Sequence, residues 1–592
     1  MKTRIITLVA LVAVWLPARA IDNLTTLLPE DVTAFMSSKD AHLFEKLGEH
    51  PLAKAFGDSG LRKIFSPIMD KQKEGQEKME KILKEETGMT IAELKKTFTG
   101  GSTAGVKFDF AMLFGARLAG GAAEMPKGFF DMTLAMDFTG DEALAEKLTR
   151  AYARLFKESV AATGAAAPVL LAKFPEDYDA SAEDYAGVKV HAWKLKKDAK
   201  SIIESPSYAV FDGALVFSLS EQGLRSAIDR VKKGAKSLAD SPRHAALEKS
   251  AKESDFVSYF DLSTIIKSAM NMAAQQGGVA AGQTLTALRA IGVNKLDLLY
   301  LTADLSKGRS DFEFGLTFHD NPAFIKVIAM DGPGMVPNFL PPDADSGGHG
   351  TFYFDRALAA IESIMKDAVP AMGDLIATQL DELKKQTGVD IRKDIIANIG
   401  PDIFSATQPF DGKPSDDEED TEPTVLGLKI KDRKALELAV TTLINKTAPD
   451  AALFEKREYQ GVTIHNFKEA PVGYLFTDDW LVISMGPQTL LEKVITRMAK
   501  GGDDHLFAQP VVKSAFEGLP GDDEGSTYVD VGPTLDMLLE LASGFSDTPG
   551  VDQFIKLDDL PKTMNLPIAI GMRQYLDDKA FRLRAHVIEK KK

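Results

Sequence analysis

Residues 188–193 alternate in character. Val188, Val190 and Ala192 fall on one face of an extended chain, with Lys189, His191 and Trp193 on the other. That pattern predicts a strand with one face on a core and the other partly wet. Further on, apolar runs at 208–211 and 214–216 flank Asp212-Gly213, a two-residue turn signal that predicts a hairpin. Asp478-Asp479 sits between comparable runs at 474–477 and 480–482. Helical patterns follow the strands at 141–144, 222–232, 433–436 and 488–498. Long parallel strand–helix–strand alternation is absent, so the expected class is α+β, with an antiparallel-rich sheet backed by helices.

The same landmarks occur twice in the same order. Leu28-Pro29-Glu30-Asp31 is answered by Leu340-Pro341-Pro342-Asp343, and Thr87-Gly88-Met89-Thr90-Ile91 by Thr387-Gly388-Val389-Asp390-Ile391. Tyr185-Ala186-Gly187-Val188 parallels Tyr459-Gln460-Gly461-Val462, which places His191 and Trp193 over His465 and Phe467. Tyr208 then corresponds to Tyr474, and Tyr259-Phe260-Asp261-Leu262 to Tyr528-Val529-Asp530-Val531. Two tandem homologous modules are therefore expected, at 21–333 and 334–592. The offset shrinks along the chain, so the insertions lie mostly in the first copy, in loops where they are tolerated.

The first twenty residues change the destination. Lys2 and Arg4 precede an apolar run at 5–16, and Ala18-Arg19-Ala20 supplies a small-x-small ending, the three parts of a cleavable signal peptide. The run is shorter than the roughly 20 apolar residues that span a bilayer. Cleavage before Ile21 and a periplasmic or secreted location are expected, with no integral membrane segment afterwards. The chain has no cysteine, which excludes disulfides, thiolate metal sites, cysteine nucleophiles and a lipid-modified N-terminal cysteine. Losing Lys2, Arg4 and Arg19 takes the net charge from −16 to −19. So acidic a body repels phosphate backbones, and no nucleic-acid partner is expected.

The opening Leu28-Pro29-Glu30-Asp31, the segment Thr387-Gly388-Val389-Asp390-Ile391 with Asp394-Ile395-Ile396 and Ile399-Gly400, the Tyr-x-Gly-Val strand at Tyr185 and Tyr459, and the hairpin beginning at Tyr208 resemble a family of exported bacterial proteins, domain-of-unknown-function family 3352. The resemblance spans most of the chain beyond the signal peptide. It implies a fold and an exported protein, and it brings no reaction, cofactor or catalytic residue with it.

Chemistry-bearing patterns are few. The nine histidines are all more than five residues apart, which excludes the helical zinc pattern of two histidines one turn apart. Gly57-Asp58-Ser59-Gly60 lacks the surrounding roles that define a triad, and Gly544-Phe545-Ser546-Asp547-Thr548 fails the nucleophile elbow at its last position. Gly100-Gly101-Ser102-Thr103-Ala104-Gly105 lacks the lysine of a phosphate loop. The acidic run 416–420 is expected to be a solvated loop, since the glycine and alternating ligands of an EF-hand are missing. Residues 277–282 read as a glycine-containing connection between helical segments. Asp261 and Asp530 stand after a strand and before a helix, where an aspartate caps free amides.

The candidate binding residues are His191, Trp193, His465 and Phe467, the repeat-related positions on one strand face. Catalytic and metal sites are expected to be absent, and no cofactor is implied. The expected function is that of an exported, non-catalytic protein that binds a ligand or partner or serves cell-envelope organisation. The alternative is a periplasmic hydrolase with its site in a groove between the modules, for which His191, His465, Asp261 and Asp530 are the repeat-related candidates.

Overall fold

Tight turns define the sheet's hairpins. Ala186-Gly187 and Gln460-Gly461 both have positive φ at both positions (52° and 77°, 50° and 79°), as do Asp212-Gly213 (50° and 79°). Such two-residue turns match the right-handed twist of the flanking strands, and a glycine at the second position removes the Cβ clash. The Tyr-x-Gly-Val segments are therefore corners between two strands, where the sequence reads as a single strand beginning at the tyrosine.

The structure is a computed structural model that describes residues 23–39, 66–98, 100–110, 112, 130–162, 176–199, 201, 203, 205–276, 279–305, 310–330, 332–369, 375–408, 422–447, 454–468, 470–519, 525–532 and 566–590. The signal segment, Gly57–Gly60, Gly277-Gly278, the acidic run 416–420 and 544–548 lie outside the described residues.

The first half contributes β1 (Ala34–Ser38), β2 (Ser102–Phe108), β3 (Phe130–Asp137), β4 (Tyr178–Tyr185), β5 (Val188–Leu195), β6 (Ser207–Phe211), β7 (Ala214–Ser218), β8 (Phe256–Asp261), β9 (Leu296–Asp304) and β10 (Ser310–Phe318). The second contributes β11 (Ser346–Thr351), β12 (Ile399–Thr407), β13 (Thr424–Ile430), β14 (Phe454–Tyr459), β15 (Val462–Phe467), β16 (Val472–Phe476), β17 (Trp480–Met485), β18 (Gly525–Asp530), β19 (Ile568–Leu576) and β20 (Ala580–Glu589). Pairing runs β4-β5-β6-β7-β3-β2-β1-β8-β9-β10 in the first half. In the second it runs β14-β15-β16-β17-β13-β12-β11-β18-β19-β20, the same order strand for strand. The architecture is α+β: two tandem modules, each an antiparallel sheet with helices against it.

The two sheets fuse edge to edge through β10 and β20, so no edge strand is left open at the seam. The registers Tyr259–Tyr300–Gly315 and Tyr528–Gly571–His586 make Glu313 and Arg584 equivalent positions, and these two face each other directly. The pseudo-twofold axis thus passes through an ion pair. Around it, Glu313 also accepts from the Tyr300 hydroxyl at 2.5 Å and the Tyr575 hydroxyl at 3.2 Å.

The expected half-wet face is partly wet in the first module: Lys189 is exposed and His191 half-buried, while Trp193 is buried. Val188 and Val190 pack with the Glu221–Lys233 helix, and Trp193 and Tyr208 pack on the opposite face with the Ser66–Thr87 and Glu142–Ala162 helices. The long helices that cover Trp193 and Tyr208 are remote from them in sequence, so this burial is decided by tertiary packing. Among the described residues, no helix is long and apolar enough to cross a membrane.

Candidate functional site

His191 and His465 occupy matching places. Each lies on the middle strand of three, β5 or β15, directly opposite a tyrosine of the next strand. The His191 ring stacks on Tyr208 at 4.7 Å with 10° between planes, and His465 on Tyr474 at 4.7 Å and 8°. The strand register, not side-chain chance, sets this: directly opposed residues bring their Cβ atoms to about 5 Å, the spacing at which two rings meet face to face.

Their surroundings diverge. Glu142, the first residue of its helix, contacts His191 Nε2 and also accepts from Lys189 Nζ at 2.8 Å. Those two donors hold the Glu142 carboxyl below the usual range, the lysine foremost. Sequence spacing hides this acid, because it stands 49 residues from the histidine. Among the described residues, His465 meets no such partner at hydrogen-bond range. Burial, then the nearby Lys456 charge, push its pKa below the ordinary histidine value. Burial likewise raises the phenols of Tyr208 and Tyr474.

Beyond the stacks the modules part further. Trp193 faces Ala180 across the strand pair, and its indole lies 5.5 Å from the Tyr208 ring, only 7% exposed. Leu148 and Ala151 of the covering helix close over them. In the second module Phe467 faces Phe454, their rings 5.4 Å apart, and Tyr474 joins Phe454 at 5.6 Å. Between these rings and Val440 and Ile444 of the Arg433–Thr447 helix there remains a cavity of about 430 Å³. Leu481 and Ile483 form its floor, and Val472, 37% exposed, stands at its rim. An indole facing an alanine in the first module is thus answered by two facing phenyl rings in the second.

Of the four residues singled out by repeat position, Phe467 thus lines a cavity, His465 stacks on a ring that lines it, His191 meets a carboxylate, and Trp193 is packed in the core. The pocket-lining Val440, Ile444 and Phe454 are not legible in the sequence, since nothing there shows which apolar residues fail to find a partner. Among the described residues, no three histidine, aspartate or glutamate side chains gather as a metal site would require.

The two aspartates of the alternative reading are held by other work. Asp261 accepts from the Thr264 amide at 2.9 Å, capping the Leu262–Gln276 helix, and from Arg243 at 2.9 Å. Burial raises it, but the Arg243 and Thr264 hydrogen bonds outweigh that and keep it below the usual range. Asp530 is paired with Lys590. Its neighbour Asp345 is half-buried, and that desolvation first, then the charges of Asp530 and Glu422, lift its carboxyl to about 7.

The fold and this pocket together define an α+β protein of two tandem antiparallel modules with an apolar cavity in the second. Residues 365–553 match the family model "Protein of unknown function (DUF3352)", a range that contains Thr387 to Gly400, Tyr459 and the whole pocket. A comparison with curated proteins finds no similar sequence. Among solved structures, crystal form IV of TP0453 is 10% identical, covering 45% of this chain and 94% of that one at a TM-score of 0.22. Crystal form I gives 8%, 51% and 81% at 0.22, and crystal form III gives 9%, 43% and 95% at 0.21. Scores this low establish no common fold.

Proposed function

We propose that this chain is an exported, non-catalytic binding protein whose second module holds an apolar ligand against Phe467, Phe454 and Tyr474. The observation that carries the reading is the cavity of about 430 Å³, walled by carbon side chains that include Phe454, Phe467, Val440 and Ile444. Ligand pockets have this size and this mostly apolar lining, with few polar groups to fix orientation. A single acyl chain or a compact polycyclic hydrocarbon suits it. Export rests on the signal-peptide pattern of residues 1–20, with cleavage before Ile21, and places the protein in the periplasm or outside the cell. The modules would then span about 21–333 and 334–592, a division supported by the repeated strand order.

The test is displacement of an environment-sensitive apolar dye from the whole protein by dodecanoate and hexadecanoate. Ile444→Trp, which adds a ring at a lining position of the cavity, should weaken dye and fatty-acid binding at least tenfold. Equal binding by that variant, with its thermal transition unchanged, would sink the proposal.

A further inference from the structure

In the first module an internal carboxylate shows what the histidine–tyrosine face can hold. Glu142 opens the Glu142–Ala162 helix and reaches the sheet, where it contacts His191 Nε2 and accepts from Lys189 Nζ at 2.8 Å. A histidine and a lysine thus form a two-donor cradle for one carboxylate, beside the Tyr208 ring on which His191 stacks.

The second module keeps such a cradle and carries no acid at the matching place. Asp141 caps one helix by accepting from the Leu144 amide at 2.8 Å, and Asp432 caps the other by accepting from the Ala435 amide at 3.0 Å. These caps fix the equivalence of the residues that follow, so Arg433 stands where Glu142 does. Arg433 turns to Asp478 at 2.8 Å and to Glu437 at 3.3 Å. The lysine persists in space though not in sequence. Thr463 replaces Lys189, while Lys456 stands directly across the strand pair from His465, at the place where Ala182 faces His191. Cross-strand neighbours bring their Cβ atoms to about 5 Å, so ammonium and imidazole share one face. Among the described residues, neither His465 nor Lys456 has a hydrogen-bond or ion-pair partner. The acids that face them are engaged, Glu437 by Arg433 and Glu458 by the Thr463 hydroxyl at 2.5 Å.

This cradle adjoins the apolar cavity. Lys456 and His465 follow Phe454 and Phe467 on the same face, two positions or about 7 Å along the strands. Phe454, Phe467 and Tyr474 line the cavity, and Tyr474 is the ring on which His465 stacks. The cavity wall has no charged residue of its own. A chain seated there has Lys456 and His465 one residue pair beyond its aromatic wall.

We propose that the ligand of the second module is a carboxylate-headed acyl chain, whose carboxylate takes on His465 and Lys456 the place that Glu142 takes on His191 and Lys189. The inference rests on the apolar pocket proposed above and adds the chemistry of the head. A carboxylate accepts from both donors and pairs with the ammonium charge, whereas a hydroxyl gains no charge pairing and an amine meets Lys456 with like charge.

The test displaces an apolar dye from the whole protein with dodecanoate and with 1-dodecanol, at about pH 8, where a carboxylate is ionised. The intact chain should bind dodecanoate about tenfold tighter, the contribution of one charge-assisted hydrogen bond. His465→Phe with Lys456→Gln keeps a ring on Tyr474 and should bring the two affinities together. Arg433→Glu supplies the acid of the first module from within and should weaken dodecanoate relative to dodecanol. Proton NMR of the intact chain adds a reading that a folding defect cannot imitate. Dodecanoate should raise the titration of His465, because a neighbouring anion favours the protonated ring, and dodecanol should leave it in place. Dodecanol binding as tightly as dodecanoate, a preference that survives either variant, or an unmoved His465 titration would overturn the assignment of the head and leave the pocket standing. Displacement by neither compound would overturn both.

Discussion

The two modules share strand order, turns and a histidine-on-tyrosine stack, yet the residue beside the stack is a buried indole in the first and a cavity-lining phenyl ring in the second. Trp193 against Ala180 sits under the Glu142–Ala162 helix with Leu148 and Ala151, whereas Phe467 against Phe454 leaves space beneath Val440 and Ile444. The lesson is that a duplicated fold conserves its hydrogen-bond scaffold and can vary the volume inside it. Backbone pairing tolerates no local change without loss of ladder bonds, but an aromatic swap changes the filling without touching register. The seam shows the same freedom in charge. Equivalent positions on a twofold axis would face their own kind, and here they carry Glu313 and Arg584, so divergence after duplication has turned self-opposition into attraction.

The sharpest way to break this comparison is to remove the buried indole. Trp193→Ala should destabilise the protein by about 3–5 kcal/mol, the range for deleting a large buried aromatic side chain. Phe467→Ala, at the wall of an existing cavity, should cost roughly half that or less, since part of its surface lacks partners already. Chemical denaturation of both variants measures the difference, and equal losses would mean that the second pocket is as tightly packed as the first.

A smaller effect sharpens the contrast in electrostatics. Thr33 and Asp345 occupy matching places, each offering its carbonyl to the amide of the repeat-related aspartate, Asp261 or Asp530. At this place the second module therefore sets two acids side by side where the first has a threonine and an acid. Because the folded Asp345 carboxyl titrates near 7 and the unfolded one near 3.8, folding favours the protonated form. Its stabilisation is present below about pH 4 and is lost as pH rises to 7, a change on the order of 2 kcal/mol after allowance for its partial exposure. Asp345→Asn should flatten the pH dependence of the melting temperature in that window and raise stability at pH 7. Thr33→Ala should leave the window unaltered.

The smallest effect concerns the histidines. With its folded pKa lowered by burial and by Lys456, His465 should titrate below 6.5 in a proton NMR series, and stability should fall as pH drops through the unfolded value toward the folded one. Lys456→Gln should move that titration upward. In the first module, Glu142→Gln removes a partner that is itself 42% exposed, and should cost under about 1 kcal/mol. A larger loss would give that contact a weight that surface ion pairs do not carry.

Much of this was legible in the chain. The period-two alternation at 188–193, the Asp212-Gly213 turn and the ordered landmarks determine strands, a hairpin and a twofold repeat, because these depend on local backbone preference and on residue spacing. The equivalence of His191 with His465 follows from spacing as well. The tertiary structure alone decided that Glu142 reaches His191 and that Trp193 is buried while Phe467 lines a cavity. Those are relations between elements tens of residues apart, fixed by how helices settle on a continuous sheet and how well their side chains fill the space below. A sequence specifies which surfaces must be buried; the volume left over after burial is a property of the packed whole.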